Sequence, residues 1–145
     1  MPLTAAFQMD PIEHVDIGAD STFRLMEEAQ SLGHGLFYYT PYRLALSEGH
    51  VMARGWPVEV RRVEGNHFTL GDEREIDLGE LDVVWLRQDP PFDMGYITTT
   101  HILERLDPPT LVVNDPFWVR NFPEKLLVLQ FPDLTPPTTI ARDID

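Results

Sequence analysis

The sequence predicts an open α/β fold, with a mostly parallel sheet and an antiparallel hairpin inserted into it. Three observations carry this. An apolar run, a capped amphipathic helix and a second apolar run open the chain in β-α-β order. "LDVVWL" (81–86) is continuously apolar, as in a strand covered on both faces. Between them, "VMARGWPVEVRRVEGNHFTLG" (51–71) alternates apolar and polar residues around Gly65-Asn66, the pattern of a half-exposed hairpin.

Taken in order, "LTAAFQM" (3–9) reads as the first strand, closed by the turn at Asp10-Pro11. "DSTFRLMEEAQSLGH" (20–34) is a helix, with Asp20 or Ser21 as N-cap, apolar residues at helical spacing and Gly33 as its stop. "GLFYYT" (35–40) follows as a strand parallel to the first, as the right-handed crossover rule implies. After the hairpin region (41–76) and "LDVVWL", a helix is expected at 92–106, ended by Pro108-Pro109, and then a strand at "TLVVN" (110–114). A short helix starts near Pro116, and a better one spans "PEKLLVLQF" (123–131), with Pro123 in its first turn. "PPTTIARDID" (136–145) reads as the beginning of a further strand.

Composition narrows the function. At 145 residues and 43% hydrophobic content the chain has material for one core. Its apolar runs are too short to span a bilayer, and the N-terminus lacks a signal-peptide pattern, so a cytoplasmic protein is expected. The absence of cysteine excludes a disulfide framework, a thiolate zinc site and a cysteine nucleophile from this segment. A formal charge of −13 argues against nucleic acid, whose phosphates such a surface repels. Neither a G-x-G-x-x-G nor a Walker-type loop occurs. The five histidines are scattered; His101 and Glu104, three residues apart, have no second pair with which to form a metal site. A Ser21, His101, Asp89 triad can be drawn but lacks a nucleophile elbow.

In open α/β sheets ligands collect beyond the carboxyl ends of the strands. Three strands here end in "QMDP" (8–11), "RQDPP" (87–91) and "NDP" (114–116). Arg87, at the end of a buried strand, needs partners for its guanidinium. Two readings stand side by side: an internal ion pair with Asp89, Asp93 or Asp115, and a fork that receives a substrate carboxylate. "DSTF" (20–23) is likewise both a cap and a potential anion site at a helix N-terminus, with Asp20 favouring the cap. Ten of the eleven basic residues are arginine. The sole lysine, Lys125, marks a position where a compact ammonium on a flexible stem is wanted.

Together "QMDPI" (8–12), "DSTF", "EAQ" (28–30), "RQDPPFD" (87–93), "YITTTHILE" (96–104), "LVVNDP" (111–116), "RNFPEKL" (120–126) and "FPDLTPPT" (131–138) closely resemble the N-terminal part of bacterial glutathione synthetases, which are ATP-grasp ligases. The resemblance runs along essentially the whole chain, and Phe122 before "PEK" departs mildly from it. It implies a Rossmann-like, pre-ATP-grasp substrate domain over 1–121, with helices on both faces of its sheet. Residues 122–145 would then be the start of a truncated ATP-grasp region, a first helix and strand. The implied reaction activates the cysteinyl carboxylate of γ-glutamylcysteine with the γ-phosphate of ATP, after which the amine of glycine displaces phosphate. By the same resemblance Arg87, Asp20, Ser21 and Asp89 bind γ-glutamylcysteine, and Lys125 reaches the phosphates of ATP. No residue of this segment is implied to be catalytic or to ligate a metal. The ligands for Mg2+ lie outside it, the segment alone is expected to be inactive, and a homo-oligomer is implied at full length. Two rivals remain at this point: a related carboxylate-amine ligase with another substrate, and a stand-alone ligand-binding or interaction module.

Overall fold

In a computed structural model, residues 1–143 are described, and they form one mixed sheet of eight strands with helices on both faces. β1 (Thr4–Gln8), α1 (Ser21–Ser31) and β2 (Gly35–Tyr39) form the expected opening unit, its strands parallel with Thr4 opposite Gly35 and Gln8 opposite Tyr39. The cap on α1 is Asp20, whose carboxylate accepts from the Phe23 N–H at 2.6 Å. Its end is marked by Gly33 at φ 80, in the left-handed region that glycine enters without steric cost.

The chain then turns antiparallel. β3 (Leu44–Ser47) and the long β4 (His50–Val60) form a tight hairpin through Glu48 and Gly49, both at positive φ. Successive segments of β4 pair with β3, with β6 (Arg74–Asp77), with β2 and with β5 (Phe68–Leu70). Where β4 crosses β2, Gly55 is required: a Cβ there would lie 2.1 Å from the Tyr38 carbonyl oxygen. Just beyond, β4 parts from β2, and the Gln30 side chain of α1 takes over the pairing. Its amide donates to the Val60 carbonyl at 2.8 Å and its oxygen accepts from the Val60 N–H at 2.7 Å.

The parallel pattern resumes with β7 (Val83–Leu86), which lies between β1 and β8 (Leu111–Val113), with α2 (Met94–Leu103) as the crossover. The parallel strands are thus β2, β1, β7 and β8, half of the sheet. The antiparallel part is larger than a single hairpin because β4 gathers four partners.

Strand alternation sorts the core into two layers. Phe7, Leu36 and Tyr38 pack with Phe23 and Met26 of α1 on one face, and the Phe7 ring stacks on Trp85 at 5.9 Å. Ala6, Phe37, Tyr39, Val84 and Leu86 pack with Leu103 of α2 on the other. α3 (Pro116–Asn121) joins this second face through Val119 and is capped by Asp115, which accepts from the Phe117 and Trp118 N–H groups.

The C-terminal segment departs from the reading of the sequence. The helix expected over 123–131 is only α4 (Glu124–Leu127), followed by a 3-10 turn at Val128–Gln130. Pro132 pushes Phe131 out of the helical region, to φ −124 and ψ 62, which ends the helix early. The strand expected from 136 onward does not form over 136–143, and residues 144–145 lie outside the described part. Among the described residues no helix is long and apolar enough to cross a membrane.

Candidate functional site at the strand carboxyl ends

Because β1, β2, β7 and β8 are mutually parallel, their carboxyl ends meet at one edge of the sheet. Gln8, Tyr39 and Leu86 are in register there, so the residues after them, Met9-Asp10, Thr40-Pro41 and Arg87-Gln88-Asp89, are brought together. The backbone secures this convergence: Arg87 N–H donates to the Gln8 carbonyl at 2.8 Å, and Asp89 N–H donates to the Asp10 carboxylate at 2.7 Å. Beneath them Gln8, fully buried, donates through its amide to the Gln88 side-chain oxygen at 2.9 Å.

The half-buried Arg87 side chain is held by α1. Its Nε donates to Thr22 Oγ1 at 3.0 Å and its Nη2 to Ser21 Oγ at 2.8 Å. Among the described residues it joins no ion pair, so the internal bridge to Asp89, Asp93 or Asp115 does not form. Two of those carboxylates are engaged as caps: Asp93 caps α2 by accepting from the Tyr96 N–H at 2.9 Å, and Asp115 caps α3. Two neutral hydroxyls therefore fix one edge of the guanidinium, and among the described residues no carboxylate pairs with it.

Cavities flank this edge on both faces of the sheet. The smaller, about 310 Å³, is walled by Asp10, His14, Asp20, Thr22, Arg87 and Asp89. The other, about 470 Å³, shares Asp10 and Asp89 and is closed by Pro41, Pro91, Tyr96 and Ile102. Burial raises the Tyr96 phenol above its ordinary value, and Asp89 and Asp10 nearby push the same way while Arg87 opposes them. A larger opening, about 910 Å³, lies at the far edge, where β4 parts from β2. Its polar groups are largely engaged within the fold: Asp77 accepts from Gly79 N–H and contacts His50, and His34 Nδ1 accepts from Leu3 N–H.

Of the residues singled out from sequence, the structure therefore gathers Arg87, Asp20 and Asp89 around one cavity, with Ser21 behind the guanidinium. Asp20 is engaged as a helix cap, and Ser21 lines a separate opening of about 660 Å³ together with Asp20, Arg24, Arg62 and Arg87. Lys125 stands apart, beside an opening of about 550 Å³ formed with Val128, Thr138 and Ile140. Sequence reasoning missed Asp10 and Thr22 as site residues. "QMDP" signalled the first, but the second, inside a helix cap motif, carries no signal before Arg87 is placed against it. His101 contacts Glu104 at 3.8 Å, and Glu104 accepts from Arg120 at 2.8 Å; among the described residues no trio of metal-ligating side chains converges.

Residues 3–120 match the family model of the prokaryotic glutathione synthetase N-terminal domain. The chain is 59% identical over 143 residues to a glutathione synthetase of Brucella melitensis, 58% identical over 143 residues to one of Mesorhizobium japonicum, and 40% identical over 144 residues to one of Xanthomonas axonopodis pv. citri. In each case 99% of the chain is covered but only 46% of the relative, so the chain spans a little under half the length of these proteins. A family match over most of the chain, with relatives of this similarity along its whole length, places the chain in the prokaryotic glutathione synthetase N-terminal domain family.

Proposed function

We propose that this chain is the substrate-binding part of a glutathione synthetase, an ATP-dependent ligase that joins γ-glutamylcysteine to glycine. The observation that carries the reading is Arg87: a guanidinium at the carboxyl end of a central parallel strand, oriented by two hydroxyls and with no carboxylate partner among the described residues. Such a group is ready to receive a substrate carboxylate through charge-assisted hydrogen bonds. Relatives that bear the name glutathione synthetase supply the rest of the argument.

On this reading residues 1–121 are the substrate domain and 122–145 the entry to the ATP-grasp region. The family match ends at 120, at the close of α3 and just before Pro123, which supports that division. Lys125, exposed beside an opening with apolar walls, is assigned to the phosphates of ATP. ATP supplies the phosphoryl group that activates the cysteinyl carboxylate. Any Mg2+ used with ATP would be held by carboxylates assigned to the remaining length of the ligase. The role of this chain is to hold and orient the dipeptide, which is how such a reaction gains most of its rate. A cytoplasmic location and homo-oligomeric assembly of the full-length ligase belong to the same proposal.

The test is to incubate the full-length gene product with ATP, Mg2+, γ-glutamylcysteine and glycine, and to measure glutathione and phosphate. Phosphate release that requires both amino-acid substrates is expected, while the 145-residue chain alone binds without turnover. Equal release with unrelated dipeptides would transfer the chain to another carboxylate-amine ligase, and no release would overturn the reading.

A further inference from the structure

His67 is a buried histidine that the chemistry of the strand ends leaves unused. It follows Gly65-Asn66 in the turn between β4 and β5, yet its polar partner lies elsewhere. Its Nε2 is 2.7 Å from the carbonyl oxygen of Ile12, 55 residues away, and because a carbonyl only accepts, Nε2 carries the proton and donates. At the other end of the same residue the Ile12 N–H donates to the Tyr38 hydroxyl at 3.1 Å. Ile12, fully buried, is thus gripped at both of its backbone groups. The 3-10 turn that it opens, Ile12–His14, has no side-chain cap and is held internally by the His14 N–H on the Pro11 carbonyl at 2.9 Å and the Val15 N–H on the Ile12 carbonyl at 3.3 Å. A single 3-10 turn of this kind does not fix its own place, so the bonds from Tyr38 and His67 do.

That turn matters because Pro11, His14, Val15 and Asp16, on it and beside it, wall the cavity of about 310 Å³. His67 meets the opposite wall as well: its ring stands edge-on to Phe23 at 5.7 Å, and Phe23 follows Thr22, which accepts from Arg87 Nε. The Phe68 ring packs on it at 5.0 Å. Resting on the ligase reading, we infer that His67 is a positioning residue for dipeptide binding: it ties the β4–β5 turn to both the 12–14 turn and the first turn of α1, and so sets the spacing of the two walls. It touches no ligand itself. Without its donor the Ile12 carbonyl loses its short bond in a buried setting, and the turn regains a partner by moving toward water, which widens the cavity. The effect falls on the dipeptide and spares the nucleotide, since Lys125, assigned to the phosphates, lies on α4 beside a different opening.

The experiment uses three variants of the full-length protein. His67→Phe keeps a ring against Phe23 and Phe68 and removes the donor, His67→Gln returns an amide N–H near the place of Nε2, and Tyr38→Phe removes the hydroxyl at the other end of Ile12. His67→Phe should raise the KM for γ-glutamylcysteine about tenfold, as a small displacement of a binding wall does, with the KM for ATP and kcat unchanged. His67→Gln should restore most of the loss, and Tyr38→Phe should reproduce its pattern. Hydrogen exchange, followed by mass spectrometry, should quicken over residues 10–16 and 20–25 in His67→Phe and return toward wild type in His67→Gln. Parallel rises in both KM values with a fall in melting temperature, or a glutamine variant no better than phenylalanine, would reduce His67 to a packing residue and overturn the inference. If His67→Phe does not fold, Tyr38→Phe decides by the same criteria. The ligase reading fails separately, by absence of wild-type turnover; in that event exchange alone judges the brace, and unchanged exchange over 10–16 overturns it.

Discussion

Replacing Arg87 with methionine separates a binding residue from a structural one, because the two roles predict opposite balances of affinity and stability. Methionine keeps much of the stem that packs at the end of β7 and removes the charge. Had Arg87 been locked in a buried ion pair, its loss would strand a carboxylate and cost about 3–5 kcal/mol of stability. The structure instead gives it two hydroxyl partners, Ser21 at 2.8 Å and Thr22 at 3.0 Å, in a half-exposed setting. Ser21 is exposed and can turn to water, which leaves the buried Thr22 hydroxyl as the main loss. Arg87→Met should therefore lower stability by only about 1–2 kcal/mol. Binding of γ-glutamylcysteine should fall far more relative to ATP, about 10- to 150-fold, because a charge-assisted hydrogen bond is worth about 1.5–3 kcal/mol. Urea denaturation gives the first quantity, and calorimetric titration of the full-length protein with each ligand gives the second. Equal losses for γ-glutamylcysteine and ATP that track a large loss of stability would refute the argument.

Three further outcomes are expected. Gln30→Ala removes both hydrogen bonds to Val60 and leaves the β4 backbone unpaired where it parts from β2, so the urea midpoint should drop by the equivalent of about 2 kcal/mol; an unchanged midpoint would show that solvent replaces the amide fully. Lys125→Ala should raise the KM for ATP in the full-length protein without altering its circular dichroism, and Lys125→Arg should restore it only in part, since a planar guanidinium differs in shape and hydration from an ammonium; unchanged ATP kinetics in the alanine variant would remove Lys125 from the nucleotide site. The Asp82 carboxyl accepts from Thr4 N–H at 2.7 Å and Thr4 Oγ1 at 2.9 Å, the backbone bond being the larger reason that it is held below the usual value of 3.8. Its contribution to stability is present above that pH and is lost as pH falls through the lower folded value, so Asp82→Asn should flatten the acid limb of a stability-against-pH curve, and an unaltered limb would contradict this.

Much of the fold was legible because local and tertiary signals agree. Asp20 with Gly33 brackets α1, the apolar run at 83–86 becomes the strand between β1 and β8, and Gly65-Asn66 turns β4 into β5. The signals weaken where one strand has several partners. Nothing in "HVMARGWPVEV" says that β4 pairs with four others, since alternation reports which face is buried and not who lies alongside. At 123–131 the helical spacing of leucines was real, yet Pro132 and the short run prevented a full helix. The site was half legible for a related reason. Strand-end motifs located Arg87 and Asp89, whereas the hydroxyl of Thr22, 65 residues away, became meaningful only once the β-α-β unit set α1 beside β7.

On the proposed reading, the same geometry explains how a domain with a formal charge of −13 would hold an anionic dipeptide. Long-range repulsion is screened within about 8–10 Å at ordinary salt, so the immediate shell around the ligand decides the outcome. In that shell, parallel strands and the helix after β1 contribute groups in fixed order: the strand ends bring Arg87, Asp10 and Asp89, and α1 brings the hydroxyls that hold Arg87 away from those carboxylates. Had Arg87 been neutralised by Asp89, the cavity would offer no free donor for a carboxylate. Keeping the two charges separate and unspent requires rigid neutral contacts behind the arginine, and that requirement gives Ser21 and Thr22 their place at the first turn of α1.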